Sequence, residues 1–148
     1  MRIGDICIRE VACVGRDATI QEAAQLMRRR HVGDLVIVEY TPKGPRPVGI
    51  VTDRDLVVEV LAERIDSRLT VGDIVIRDLI SAAEDQTVFD TIEQLQRNGV
   101  RRLPVVDREG YLLGIITADD LFELLSMELA ELSKTLARER RREMHARP

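Results

Sequence analysis

The chain of 148 residues has no tryptophan, two tyrosines, two phenylalanines, two cysteines and two histidines. With so few aromatics, its core must be assembled from Val, Ile, Leu and Ala, which suit short buried strands and close helix packing. His31 and His145 stand apart from any Ser or Cys in a nucleophile motif, and the glycines form no phosphate loop of the G-x-x-x-x-G-K kind. Catalysis is therefore not expected, and His31 reads as a helix C-terminal residue that complements the dipole. Cys7 and Cys13 have no further Cys and no nearby His to complete a metal site, so they read as small buried residues. No apolar run approaches the roughly 18 residues that a membrane span needs, and the opening Met1-Arg2-Ile3-Gly4-Asp5-Ile6 lacks a signal-peptide core. The expected location is the cytoplasm, with no membrane partner.

What is present is a chain 45% hydrophobic and 32% charged, the balance of a globular protein, long enough for one compact domain or two small units. The net charge of −4 is unevenly spread. Between Lys134 and Arg147 six basic residues face two acidic ones, so this tail carries +4 and the rest of the chain −8. An acidic body disfavours nucleic acid, and any such contact would fall on the tail.

The chain also matches itself at an offset of 68: Gly4-Asp5-Ile6 recurs as Gly72-Asp73-Ile74, Asp17 and Thr19 as Asp85 and Thr87, and Val32, Leu35 and Val38 as Val100, Leu103 and Val106. After a three-residue length difference the register continues at 65, returning Gly49-Ile50, Thr52 and Asp55-Leu56 as Gly114-Ile115, Thr117 and Asp120-Leu121. Two copies of such a length indicate a duplicated supersecondary unit whose halves pack on each other. In each, a capping-box pattern (Thr19 to Glu22, Thr87 to Asp90) starts a helix. The buried stripes are Ile20, Ala23, Ala24, Met27 and Val88, Thr91, Ile92, Leu95. Leu35–Val38 and Leu103–Val106 read as buried strands. A long loop over Thr41–Pro47 follows the first and a tight turn over Asp107–Gly110 the second, before return strands at Val48–Val51 and Tyr111–Ile116 and second helices beginning near Asp53 and Ala118.

Both copies end in the form G-h-h-T-x-x-D-h, at Gly49–Leu56 and Gly114–Leu121. A Thr at a strand-to-helix junction offers a hydroxyl and a free helix N-terminal amide, and a carboxylate three residues on can accept from two vicinal hydroxyls, which makes a ribose-phosphate grip. The plain alternative is that Thr caps the helix and Asp favours its first turn.

Together, the Gly-Asp-Ile opening, the Asp-x-Thr helix start, the apolar strand and the G-h-h-T-x-x-D ending, present twice up to about Leu125, resemble the CBS-domain family, named after cystathionine β-synthase, in its paired regulatory form. The resemblance implies an α+β fold: a tandem CBS-domain pair of two βαββα units packed with pseudo-twofold symmetry. The divisions are residues 1–68, residues 69–126, and a C-terminal helix with basic tail over 127–148. It implies two clefts for AMP, ADP, ATP, NAD or S-adenosylmethionine. In them Asp55 and Asp120 would hold ribose hydroxyls, and Thr52 and Thr117 would meet ribose or phosphate. Adenine would lie near Cys13-Val14 and Ile80-Ser81-Ala82, and near the strand starts at Leu35 and Leu103. Arg101-Arg102-Leu103-Pro104 looks like the family's basic step, and its guanidiniums suit phosphate oxygens. The first copy has Gly33-Asp34 there, where Asp34 would repel phosphate, although Arg54, replaced by Asp119 in the second copy, offers a compensating cation. The cleft with Arg101 and Arg102 is thus expected to take the more charged ligand end.

Beyond Leu121 the spacing of Leu125, Leu129, Leu132 and Leu136 marks a helix with a narrow apolar seam, suited to another helix or to its own domain, followed by a frayed end from Arg138. The expected function is that of an adenine-nucleotide-binding regulatory module, with no metal and no catalytic cofactor, acting through a homodimer or an unnamed downstream protein. The alternatives are a ligand-free interaction or dimerisation module and a DNA-associated regulator using the basic tail.

Overall fold

A computed structural model describes residues 1–64, 66, 68–75 and 78–147. The elements run α1 (Ile3–Ile6), β1 (Cys13–Gly15), α2 (Ile20–Arg30), β2 (Asp34–Thr41), β3 (Gly44–Thr52), α3 (Asp53–Asp55), α4 (Val71–Ile74), β4 (Ala82–Ala83), α5 (Val88–Asn98), β5 (Arg102–Val106), β6 (Leu112–Thr117) and α6 (Ala118–Ala146). They form two three-stranded sheets of the same plan, β1-β2-β3 and β4-β5-β6, each with its first pair parallel and its second antiparallel. Both antiparallel pairs carry a register break at the same place, between Ile37 and Val38 and between Val105 and Val106. Duplication therefore extends to a bulge that no single residue type announced.

Alternation along the strands divides the interior into layers. Leu35 and Ile37 of β2 face α2 and the first core, while Val36 and Val38 meet Ile115 between the two sheets. Leu103 and Val105 face the second core with Ile116. Each sheet is thus covered by helices on one side and by the other sheet on the other, which is why both strands read as continuous apolar runs.

The opening segments of the two copies are exchanged. Ile3 lies fully buried in the second core, with the amides of Ile3 and Gly4 donating to the carbonyls of Gln86 and Glu84 at 2.9 Å each. Val71 lies fully buried in the first core, and the amides of Val71 and Gly72 donate to Ala18 and Arg16 at 2.8 and 3.1 Å. The repeated glycine follows from this close approach: a Cβ on Gly4 would stand 2.9 Å from the Glu84 carbonyl oxygen, and one on Gly72 3.1 Å from that of Arg16.

Four expectations are corrected. Thr41–Pro47 is not a long loop: β2 and β3 run on to a turn at Pro42-Lys43, with Pro45 opposite Tyr40 and Pro47 opposite Val38. Prolines two apart on an edge strand both turn their missing N–H outward, so no ladder bond is lost. Ala24 is exposed; the first helix buries Ile20, Ala23 and Met27 and packs Leu26 at the margin. The helix after β3 becomes a π-helix over Leu56–Leu61, with the Ala62 amide donating to the Val57 carbonyl. Finally, α6 continues as one 29-residue helix through Ala146, so the basic tail to that point is helical and not frayed, Pro148 lying outside the described residues.

Candidate functional site

Both G-h-h-T-x-x-D segments form the junction their pattern predicts. Thr52 ends β3 in extended conformation and caps α3: its Oγ1 accepts from the Asp55 amide at 3.1 Å, and Asp55 Oδ2 accepts from the Thr52 amide at 2.8 Å. Thr117 and Asp120 repeat this at 3.1 and 3.0 Å, and Thr117 Oγ1 also donates to Asp120 Oδ2 at 2.6 Å. Each is a complete capping box, so the local reading of Thr-x-x-Asp holds. It leaves the ligand reading possible, because each box uses Oδ2, and Oδ1 of Asp55 and of Asp120 has no hydrogen-bond partner among the described residues.

Sheet register gathers other candidates beside these boxes. Thr52 lies opposite Asp34 and Val51 opposite Leu35, while Cys13 and Val14 of β1 sit beside Val36 and Ile37. In the second unit Thr117 lies opposite Arg102, Ile116 opposite Leu103 and Ile115 opposite Pro104, with Ala82 beside Val105. Ser81 is held by Gln94, whose Nε2 donates to the Ser81 carbonyl at 2.9 Å. Leu35, Leu103 and Pro104 are buried; Cys13, Ile80, Ser81, Thr52, Asp55, Thr117 and Asp120 are half-buried. Burial pushes the Cys13 thiol above its ordinary pKa, which keeps it protonated and unreactive.

Two of the three candidate arginines are already paired. Arg102 donates to Asp34, the residue at its own position in the other copy. Arg101 reaches Asp119 at 3.2 Å on the open surface, and Arg54 is exposed. Burial pushes the Asp34 carboxyl above its ordinary value; Arg102 pulls it down less strongly, and the nearby Asp53 adds to the rise.

The described residues enclose, among other depressions, cavities of about 220 and 210 Å3. The first lies between Ile37 and Val48 of the first sheet and Arg16, Gly72, Val75, Asp78 and Leu79, the approach to Ile80-Ser81. The second is lined by Asp120 with Ile6, Ile116, Glu123, Leu124 and Met127. Of the candidate ligand-binding residues named from the sequence, Asp120 lines one of these two cavities and the others line neither. Arg16, Glu123 and Gln94 were missed, because their roles depend on which segment folds over them. Both volumes fall below the roughly 300 Å3 at which ligand pockets begin, so a nucleotide would extend beyond either one. Among the described residues no group of three or more His, Cys, Asp and Glu could hold a metal ion, and no helix is long and apolar enough to cross a membrane.

Known proteins share this arrangement. The chain is 33% identical over 119 residues to the CBS domain-containing protein YhcV of Bacillus subtilis, covering 80% of this chain and 81% of that one. Among solved structures, the CBS domain protein PAE2072 from Pyrobaculum aerophilum complexed with AMP superposes with a TM-score of 0.74 at 27% identity, covering 88% of this chain and 99% of that one. The CBS domain pair of protein MJ0100, in complex with 5′-methylthioadenosine and S-adenosyl-L-methionine, superposes with a TM-score of 0.73 at 26% identity, covering 86% and 98%. Other relatives are longer: the chain spans 61% of an uncharacterised protein of Methanopyrus kandleri and 22% of an inosine-5′-monophosphate dehydrogenase of Thermoplasma acidophilum. The CBS domain profile matches residues 3–62 and 71–127, one match for each copy of the repeat, and with the paired sheets and exchanged openings this places the chain in the CBS domain family as a tandem pair.

Proposed function

We propose that this chain is a regulatory module that binds an adenine nucleotide without transforming it and transmits occupancy through a homodimer or a partner protein. The observation that carries this reading is the duplicated capping box with an unused carboxylate oxygen, at Asp55 and at Asp120, each placed where its strand gives way to a helix. That oxygen is the acceptor that vicinal ribose hydroxyls require. The adenosine-bearing ligands of two structural relatives favour the same class. Phosphate would be met by Arg101, whose pair with Asp119 is solvent-exposed and easily exchanged, while Glu123 in the Asp120 cavity disfavours an anion there.

Isothermal titration calorimetry with AMP, ADP, ATP, NAD and S-adenosylmethionine tests the reading. Binding of at least one ligand is expected, weakened about tenfold or more by Asp55→Ala or Asp120→Ala, the loss of hydrogen bonds to an ionised acceptor. Unchanged affinity in the double variant would remove the assignment. The small cavities favour a second reading, a ligand-free interaction module, for which none of the five compounds would raise the melting temperature.

A further inference from the structure

The helix α6 outruns the body that anchors it. At 1.5 Å per residue its 29 residues span about 43 Å, yet its only buried residue is Leu121, and every residue described from Ser126 onward is exposed. Leu124 and Leu125 pack at the margin of the second core. Beyond them the stripe continues bare, with Leu129, Leu132 and Leu136 at 67%, 58% and 54% exposure. Spacings of four, three and four keep these leucines on one seam. A projecting helix of about twenty residues is marginal in water by itself and becomes stable when that seam is covered.

Charge along the helix identifies the cover. From Ala118 to Ser133 it carries five carboxylates and no basic residue; from Lys134 to Arg147 it carries six basic residues against two acidic ones. The sign changes between Ser133 and Lys134, one residue from Leu132, the middle of the bare seam. A second copy laid antiparallel about Leu132 brings Leu129 within one residue of the level of Leu136 of the other helix and each acidic half beside a basic half. Glu123 and Arg141 lie nine residues to either side of Leu132, about 14 Å, and so come level with each other. A parallel pair would instead set arginine-rich tail on arginine-rich tail.

We infer that α6 is a dimerisation helix that pairs antiparallel with α6 of a second copy of this chain, its leucine seam providing adhesion and its acidic-to-basic gradient providing direction. This rests on the homodimer part of the functional reading and is independent of what the clefts bind.

Sedimentation at micromolar concentration tests it. The parent chain should be a dimer, and Leu132→Glu, at an exposed position that leaves the fold untouched, should raise the dissociation constant about a hundredfold. Reversing one member of the level pair with Glu123→Arg should weaken the dimer about tenfold, and adding Arg141→Glu should restore it. A parallel dimer has like charge on like in all three forms, so reversal without loss, or loss without rescue, overturns the proposal. A monomeric parent, or a dimer indifferent to Leu132→Glu, overturns it too. Nucleotide titration of the Leu132→Glu chain keeps the two readings apart, since binding retained by a monomer leaves the nucleotide assignment standing.

Discussion

Asp34 accepts a hydrogen bond from Arg102, and the two hold the same position in the two copies, 68 residues apart. One begins β2 and the other β5, so this asymmetric pair ties together the ends of two otherwise matched sheets. With 22% and 30% of their side chains exposed, both groups are too enclosed for water to replace a lost partner fully.

Arg102→Ala should therefore destabilise the protein by about 1–2 kcal/mol, more than an exposed ion pair is worth and less than a fully buried one. Urea denaturation checks this. A double change, Asp34→Asn with Arg102→Met, should cost less than Arg102→Ala alone, because no unpaired charge remains; additive losses would show that the pair is not the cause.

The raised pKa of Asp34 sets a pH dependence. Its carboxyl binds a proton more tightly in the folded chain than at the unfolded value of 3.8. The ionised form thus weakens the fold at neutral pH, and this penalty is relieved as pH falls through the raised folded pKa, levelling below 3.8. Measured against Asp34→Asn, which has nothing to titrate there, the parent should gain relative stability between pH 7 and pH 4. A constant difference across that range would contradict the assignment.

His31 closes α2 with φ of 54°, a left-handed position that the second copy fills with Gly99 at φ of 62°. A side chain strains this conformation, and glycine does not. His31→Gly should stabilise the protein by about 1 kcal/mol, seen as a rise of roughly 3 °C in melting temperature.

Gly114 has no such freedom to change. A Cβ there would lie 2.6 Å from both the Cys7 sulfur and the Ile8 carbonyl oxygen. Ile8 and Ile115 exchange two backbone hydrogen bonds at 2.9 Å, so the clash would prise the exchanged N-terminal segment off β6. Gly114→Ala should cost about 1–3 kcal/mol, with amide exchange of Ile8 and Ile115 accelerated first.

Much of the fold is legible in the residues because its signals are local. The capping boxes at Thr19 and Thr87, the stripe of Val88, Thr91, Ile92 and Leu95, and the Thr-x-x-Asp junctions each lie within one or two turns of chain, and all form as their spacing predicts. Pro45 and Pro47 misled because proline reads as a loop until the strand containing it is known to be an edge. The unused oxygens of Asp55 and Asp120 were legible as candidates; Glu123 beside Asp120 was not.

The amino-acid sequence by itself determined that the chain is a duplicated unit, where its helices start, and which carboxylate stands behind each capping threonine, since these depend on neighbours a few residues apart. Only tertiary structure decided that Gly4 belongs against Glu84 and Gly72 against Arg16, and that Asp34, expected to repel phosphate, spends its charge on Arg102. Those contacts join segments some 55 to 80 residues apart, and complementary charge or a missing side chain does not say which distant surface it will meet until the two halves are packed.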